Sequence, residues 1–136
     1  MNKGASSTTG VLVSMSRFSQ VTYDADSQTV VVGAGLLWGE VYNALLPHGV
    51  TVVGGRGSVI GVAGFLLGGG TLNSCSKFFT PDCQIIGYSY HTNQYGLAFD
   101  NIKAYELVEP GGKMINVTEE SHPDLFFGLR ASGKYF

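Results

Sequence analysis

The run VVGGRGSVIGVAGFLLGGG, residues 52–70, carries the clearest chemical suggestion in the chain. An apolar stretch leads into Gly-Gly-Arg-Gly-Ser and then into small residues suited to the start of a short helix. Backbone N–H groups exposed at such a turn favour an anion, and Arg56 adds positive charge beside them. A diphosphate is a natural occupant. The same glycines also suit a turn whose backbone packs closely against its own neighbours, and the run by itself leaves both readings open. It is not a Walker loop, because no Gly-Lys-Ser/Thr follows. Gly33-Ala34-Gly35 also lies between a strand-like and a helix-like run, but it lacks the third glycine of a dinucleotide-binding turn.

The other reactive side chains are dispersed. There is no G-x-S-x-G, and His48, His91 and His122 stand at no telling distance from an acid or nucleophile. His48, after Pro47, reads as a surface residue at a helix end, and His122 as a solvated residue at a helix start. Tyr88, Tyr90 and Tyr95 gather near His91, where acid–base work is one use and aromatic packing the default. Asp100-Asn101 reads as the opening of a strand, with a carboxylate that caps a turn or bonds a ligand hydroxyl. Cys75 and Cys83 make no disulfide framework. With His91 they still lack a fourth zinc ligand, so no metal site is expected. Asn116-Val117-Thr118 is a glycosylation acceptor triplet, relevant only to a secreted protein.

These groups sit on a chain of 136 residues, the size of one domain. Such a chain buries roughly two-thirds of its unfolded surface, enough for a real core. Hydrophobic residues are 44%, which argues against wholesale disorder. The net charge is −2 with no basic run, so nucleic acid is not an expected partner. The longest apolar run is too short to span a bilayer, and no membrane is expected. MNKGASSTTG is polar and has no apolar core of a signal peptide, which leaves the compartment unknown. Glycine is the outlier, at 20 residues about twice the average share. The glycines cluster at 54–70, as expected where backbone approaches something closely.

The elements that must position these residues follow from local pattern. VLVSMS, 11–16, alternates weakly and reads as a strand. VTYDADSQTVVVGAG reads as a hairpin turning at Asp24–Ser27. LLWGEVYNALLPHG predicts a helix near 37–47 with Leu37, Val41, Tyr42 and Leu45 on one face and Gly49 as its stop. VTVVGG reads as a short buried strand; IGVAGFLLGG is ambiguous by pattern, its small residues suiting a short helix packed tightly against something flat. IKAYELVEPGGKMINVT is a hairpin around Pro-Gly-Gly. SHPDLFFGLR is a closing helix with Ser121 as N-cap, Asp124 three positions on, and Leu125, Phe126 and Leu129 on one face. The fold class is α+β, mostly antiparallel strands with flanking helices, without repeat or linker.

Taken in order, G-x-G-x-x-W, G-V-T-V-x-G-G-R, G-G-G, N-Q-Y-G-L-A-x-D-N and the H-P-D-L-F segment resemble one family. It is the FAD-binding (PCMH-type) domain of the vanillyl-alcohol-oxidase family, in its fungal berberine-bridge-enzyme-like branch. The resemblance runs from about residue 2 to 130, except 71–87. It implies a flavin oxidoreductase acting on an alcohol, sugar or amine carbon, often with oxygen as acceptor. It implies further that residues 1–136 are part of an FAD-binding domain, mainly its second α+β portion. Gly54, Gly55, Arg56, Gly57, Ser58 and Gly61, with Gly64, Gly69 and Gly70, would lie along the FAD diphosphate and flavin. Tyr95, Gly96 and Asp100 would run beside the cofactor.

The departures qualify that implication. The family often tethers FAD through a Gly-Gly-His histidine, which would stand just before Met1, and through a cysteine that aligns with Gly57. FAD is therefore expected to be non-covalent, if bound. The adenine-side half and the substrate domain, which usually holds the catalytic base, are not represented, so no catalytic residue can be named. Where a Gly-Gly-Asn-Phe-Gly type segment is expected, the chain reads Ala131-Ser132-Gly133-Lys134-Tyr135-Phe136. The competing expectations are a truncated, inactive product, poorly soluble because apolar faces lose their partners, and a small non-enzymatic binding module.

One segment stands outside the resemblance. Seventeen residues, Thr71 to Gly87, separate Gly70 from Tyr88, which are adjacent in the family. Their coding length is in frame and suits a short fungal intron. The codons permit a GT donor starting in Gly70, a CTGAC branch-like element in Pro81-Asp82 and a TAG acceptor across Ile86-Gly87. The expectation is a retained intron, against the rival of a long surface loop.

Overall fold

The computed structural model describes residues 8–68 and 89–131. Gly69, Gly70, the 71–87 segment with both cysteines, and Tyr88 lie outside the described residues. The N-terminal part opens with a hairpin, β1 (Val21–Asp24) and β2 (Thr29–Val32), paired antiparallel with Val21 opposite Val32 and Asp24 opposite Thr29. β-Branched residues favour these strands, and Asp24 closes the turn. Its carboxylate accepts the Ser27 hydroxyl at 2.6 Å and the Asp26 N–H at 3.0 Å, bonds that hold its pKa below the ordinary value. Gln28 takes a left-handed conformation, φ 53°, and its side-chain amide bonds Tyr23 Oη and Ala25 O.

Helix α1 (Trp38–Leu45) continues as a 3₁₀ turn, Leu46–His48, and ends at Gly49, φ 68°. Glu40 accepts the Leu37 N–H at 2.7 Å, satisfying a donor that the helix start leaves unpaired. Trp38, Val41 and Leu45 form the buried stripe at helical spacing. Leu37, expected on that stripe, is 38% exposed because it precedes the first turn, and Trp38 takes the inward position. Residues 36–39 run antiparallel to 58–62. Trp38 N–H donates to Ile60 O at 2.9 Å, Gly39 N–H to Ser58 O at 3.0 Å and Val62 N–H to Leu36 O at 2.9 Å. This pairing sets helix α2 (Val62–Leu67) beside the start of α1. Leu36, Trp38, Val41, Leu45, Val62, Phe65 and Ala98 make the core, with Phe65 edge-on to Trp38 at 5.3 Å.

After residue 89 come a single-turn helix α3 (Thr92–Tyr95), a 3₁₀ turn Ala98–Asn101, and a second hairpin, β3 (Tyr105–Val108) and β4 (Met114–Val117). Tyr105 stands opposite Val117, and Gly112 supplies φ 81° at the turn. Helix α4 (Pro123–Ala131) closes the chain, with Phe126 buried and edge-on to Tyr105 at 5.8 Å. α2 packs against both the 98–101 turn and α4, linking the two parts.

Four local expectations are corrected. Residues 11–16 form no strand: Val11 is 90% exposed, and no described segment pairs with it. Residues 50–55 form none either, although Val50, Val52 and Val53 pack on the core. Asp100-Asn101 lies in a 3₁₀ turn rather than at a strand opening. Ser121 does not cap α4; its hydroxyl donates back to Asn116 O at 3.0 Å.

Candidate functional site

The glycine-rich run divides into two kinds of glycine. Gly54 and Gly55 are buried against the Trp38 indole. A Cβ on Gly55 would stand 2.6 Å from Trp38 Cδ1 and 3.0 Å from Nε1, and one on Gly54 would land on the six-membered ring. Packing inside the chain accounts for both. Gly61 and Gly64 differ. Gly61 has φ −70° and ψ 137°, open to any residue, and Gly64 lies within α2. Both are exposed, and a Cβ at either meets nothing within 4 Å. Glycine within a helix costs roughly 1 kcal/mol relative to alanine. Neither backbone conformation nor packing among the described residues requires glycine at these two positions, and the same holds for Gly111 and Gly128 elsewhere.

The turn is held from below. Tyr42, one helical turn after Trp38, stacks on it at 5.9 Å and 29°. Its hydroxyl donates to Gly55 O at 2.8 Å. Burial pushes the Tyr42 phenol up to about 12, and the neighbouring Tyr90 adds to the shift. The Trp38 indole N–H is buried and has no hydrogen-bond partner among the described residues. Beside the turn opens a cleft of about 270 Å³, lined by Tyr42, Val52, Arg56, Ser58, Tyr90 and His91 among others. The Arg56 guanidinium lies over the Tyr90 ring at 6.0 Å, within cation–π range. The described lining holds no carboxylate, so the cleft favours a ligand carrying negative charge.

Tyr95, Gly96 and Asp100 form a separate turn. Gly96 takes φ 80°, and Asp100 caps the turn by accepting the Leu97 N–H at 2.9 Å. Asp100 also pairs with Arg130 at 3.2 Å, while Arg130 Nε donates to Phe99 O at 3.0 Å. Of the two uses open to this carboxylate, turn capping is the one observed. Asn101 bonds Tyr95 O and Leu97 O. Tyr95 is exposed, its ring 6.3 Å from that of His91, and His122 is exposed beside Ser121. Thus Gly54, Gly55, Arg56 and Ser58 come together over Trp38 and at the cleft, with Gly57 between them. Tyr95, Gly96 and Asp100 belong to another turn, which Asp100 and the Phe99 carbonyl tie to Arg130 of α4. Trp38 and Tyr42 were not singled out as site residues, though an aromatic pair four apart on a helix ahead of a Gly-Gly turn was a usable signal. Among the described residues no cluster of His, Cys, Asp and Glu could hold a metal ion.

An FAD fits these residues in kind: a basic side chain and hydroxyls for the diphosphate, and glycines that leave room for a flat ring. A family profile described as "FAD binding domain" matches residues 1–85. The chain is 38% identical over 121 residues to the FAD-dependent monooxygenase yanF of Aspergillus niger, covering 89% of this chain and 18% of that protein. It superposes on the xylooligosaccharide oxidase from Myceliophthora thermophila in complex with xylobiose at TM-score 0.72, with 26% identity, over 92% of this chain and 23% of the other. It superposes on Physcomitrella patens BBE-like 1 at TM-score 0.68, with 30% identity, over 84% and 21%. The chain spans about a fifth of the length of these proteins.

Proposed function

Because the chain belongs to the FAD-binding-domain family of the vanillyl-alcohol-oxidase type, we propose that its glycine-rich turn forms part of the cofactor site of a flavin-dependent oxidoreductase. The observation that carries this reading is the cleft beside the Gly54-Gly55 turn, whose described lining brings Arg56 and Ser58 together and holds no carboxylate. Gly54 to Ser58, Gly61 and Gly64 would border the FAD, with Arg56 set against its diphosphate charge. Gly69 and Gly70 belong to the proposal by sequence, and Tyr95, Gly96 and Asp100 would flank the cofactor as a braced turn. The chemistry FAD supplies when bound is two-electron oxidation of an alcohol, sugar or amine carbon, with oxygen as electron acceptor. Gly57 offers no thiol to the cofactor, and attachment at this turn is proposed to be non-covalent.

The test is to titrate the purified chain with FAD and remove the excess. A folded protein that retains the yellow colour, and releases it on acid precipitation, supports the reading. Folded protein that stays colourless overturns it, and colour that pellets with the protein overturns the non-covalent part. The second reading is a truncated, inactive product or a non-enzymatic binding module; the exposed Val11, Leu12, Val13 and Phe18 fit its expectation of apolar faces that lack a partner. Residues 71–87 are proposed, on the codon argument, to derive from a retained intron. The family match runs to residue 85, through most of that segment, so genomic DNA is the arbiter. Absence of GT and AG at the stated codons overturns that proposal.

A further inference from the structure

We propose that Tyr42 is a positioning residue for this cofactor turn, a proposal that rests on the reading of the turn as part of an FAD site. Residues 50–57 belong to no strand or helix, so no regular ladder fixes their peptide planes. The Trp38 indole sets how closely Gly54 and Gly55 approach α1, but a flat apolar face does not decide which way a peptide points. Glycine makes the alternative planes easy to reach. The Tyr42 hydroxyl, 2.8 Å from Gly55 O, makes that decision across thirteen residues of chain.

The consequence follows from peptide geometry. In a trans peptide the C=O and the next N–H point in opposite directions. With the Gly55 carbonyl turned towards Tyr42, the Arg56 N–H faces away from Tyr42. Tyr42, itself part of the cleft wall, thereby sets the orientation of the turn's donor face from below. The phenol suits this task because burial keeps it protonated, and therefore a donor, through the neutral and mildly alkaline range.

The experiment is Tyr42→Phe in the full chain, which keeps the ring on Trp38 and removes only the donor. FAD affinity, measured by flavin fluorescence titration, is expected to fall about five-fold, the equivalent of one ordinary net hydrogen bond. Backbone ¹⁵N order parameters at residues 55–58 are expected to fall while those of β3 and β4 stay unchanged, and far-UV spectra should match. A merely stabilising role would lower the melting temperature and move neither local order nor affinity. Unchanged order at 55–58 overturns the proposal, as does lower order with unaltered FAD affinity. If the unmutated chain fails to bind FAD, the FAD reading falls by itself, and the order-parameter comparison still decides whether Tyr42 orders the turn.

Discussion

At the scale of single residues, the two kinds of glycine make opposite predictions. Gly55→Ala drives a methyl to within 2.6 Å of Trp38 Cδ1, and should cost about 1–3 kcal/mol by overpacking. Gly64→Ala meets nothing among the described residues, lies on a helix, and should gain roughly 0.5–1 kcal/mol while weakening FAD binding. Urea melts and FAD titrations on both variants check the pair. A Gly64→Ala protein that is more stable and binds FAD equally well would remove this glycine from the site. The sequence told where glycines cluster but not which of them pack internally, because that depends on Trp38, more than a dozen residues upstream. Asp100 is similar. Its capping of the Leu97 N–H is local, whereas its ion pair needed Arg130, thirty positions away, which the sequence could not show.

At the scale of elements, the hairpins and helices were legible because their signals are local. Asp24 to Ser27 and Pro-Gly-Gly lie between β-branched runs, and the α1 stripe repeats at helical spacing. The expected strands at 11–16 and 50–55 did not form, because a strand is completed by a partner and a local pattern supplies only half of one. Residues 50–55 still contribute Val50, Val52 and Val53 to the core, so their apolar character was interpreted correctly and their geometry was not. α2 is short, and packing rather than propensity maintains it. Phe65, 1% exposed, is its anchor and meets Trp38 edge-on. Phe65→Ala should cost about 3–5 kcal/mol, measured as a shift in denaturant midpoint with little change in slope. A loss well under 1 kcal/mol would mean that α2 is not held this way.

At the scale of the whole molecule, the two hairpins belong to separate two-stranded sheets, each marginal without packing against helices. Each part also holds one raised phenol. Burial pushes Tyr42 up to about 12, and burial pushes Tyr105 up to about 12 against the opposing pull of Arg130. The folded state holds these protons more tightly than the unfolded chain. The stability they contribute is complete below pH 10 and is lost as the pH rises through 10 towards 12. Denaturant melts at neutral pH and at steps across that window should show the decline, and Tyr42→Phe should flatten part of it. An unchanged midpoint across the window would contradict the burial of both phenols.

The chain has one tryptophan, and it is Trp38, 3% exposed beneath the Gly54-Gly55 turn. Intrinsic emission excited at the red edge of protein absorption therefore reports on one neighbourhood alone, the seat of α1 under the turn. The β3, β4 and α4 part contributes only tyrosine light. A bound flavin absorbs where tryptophan emits, so occupancy of the turn would be visible as quenching of a single, identified lamp. The first half of the molecule thus carries its own gauge of cofactor loading, and the second half is dark to it.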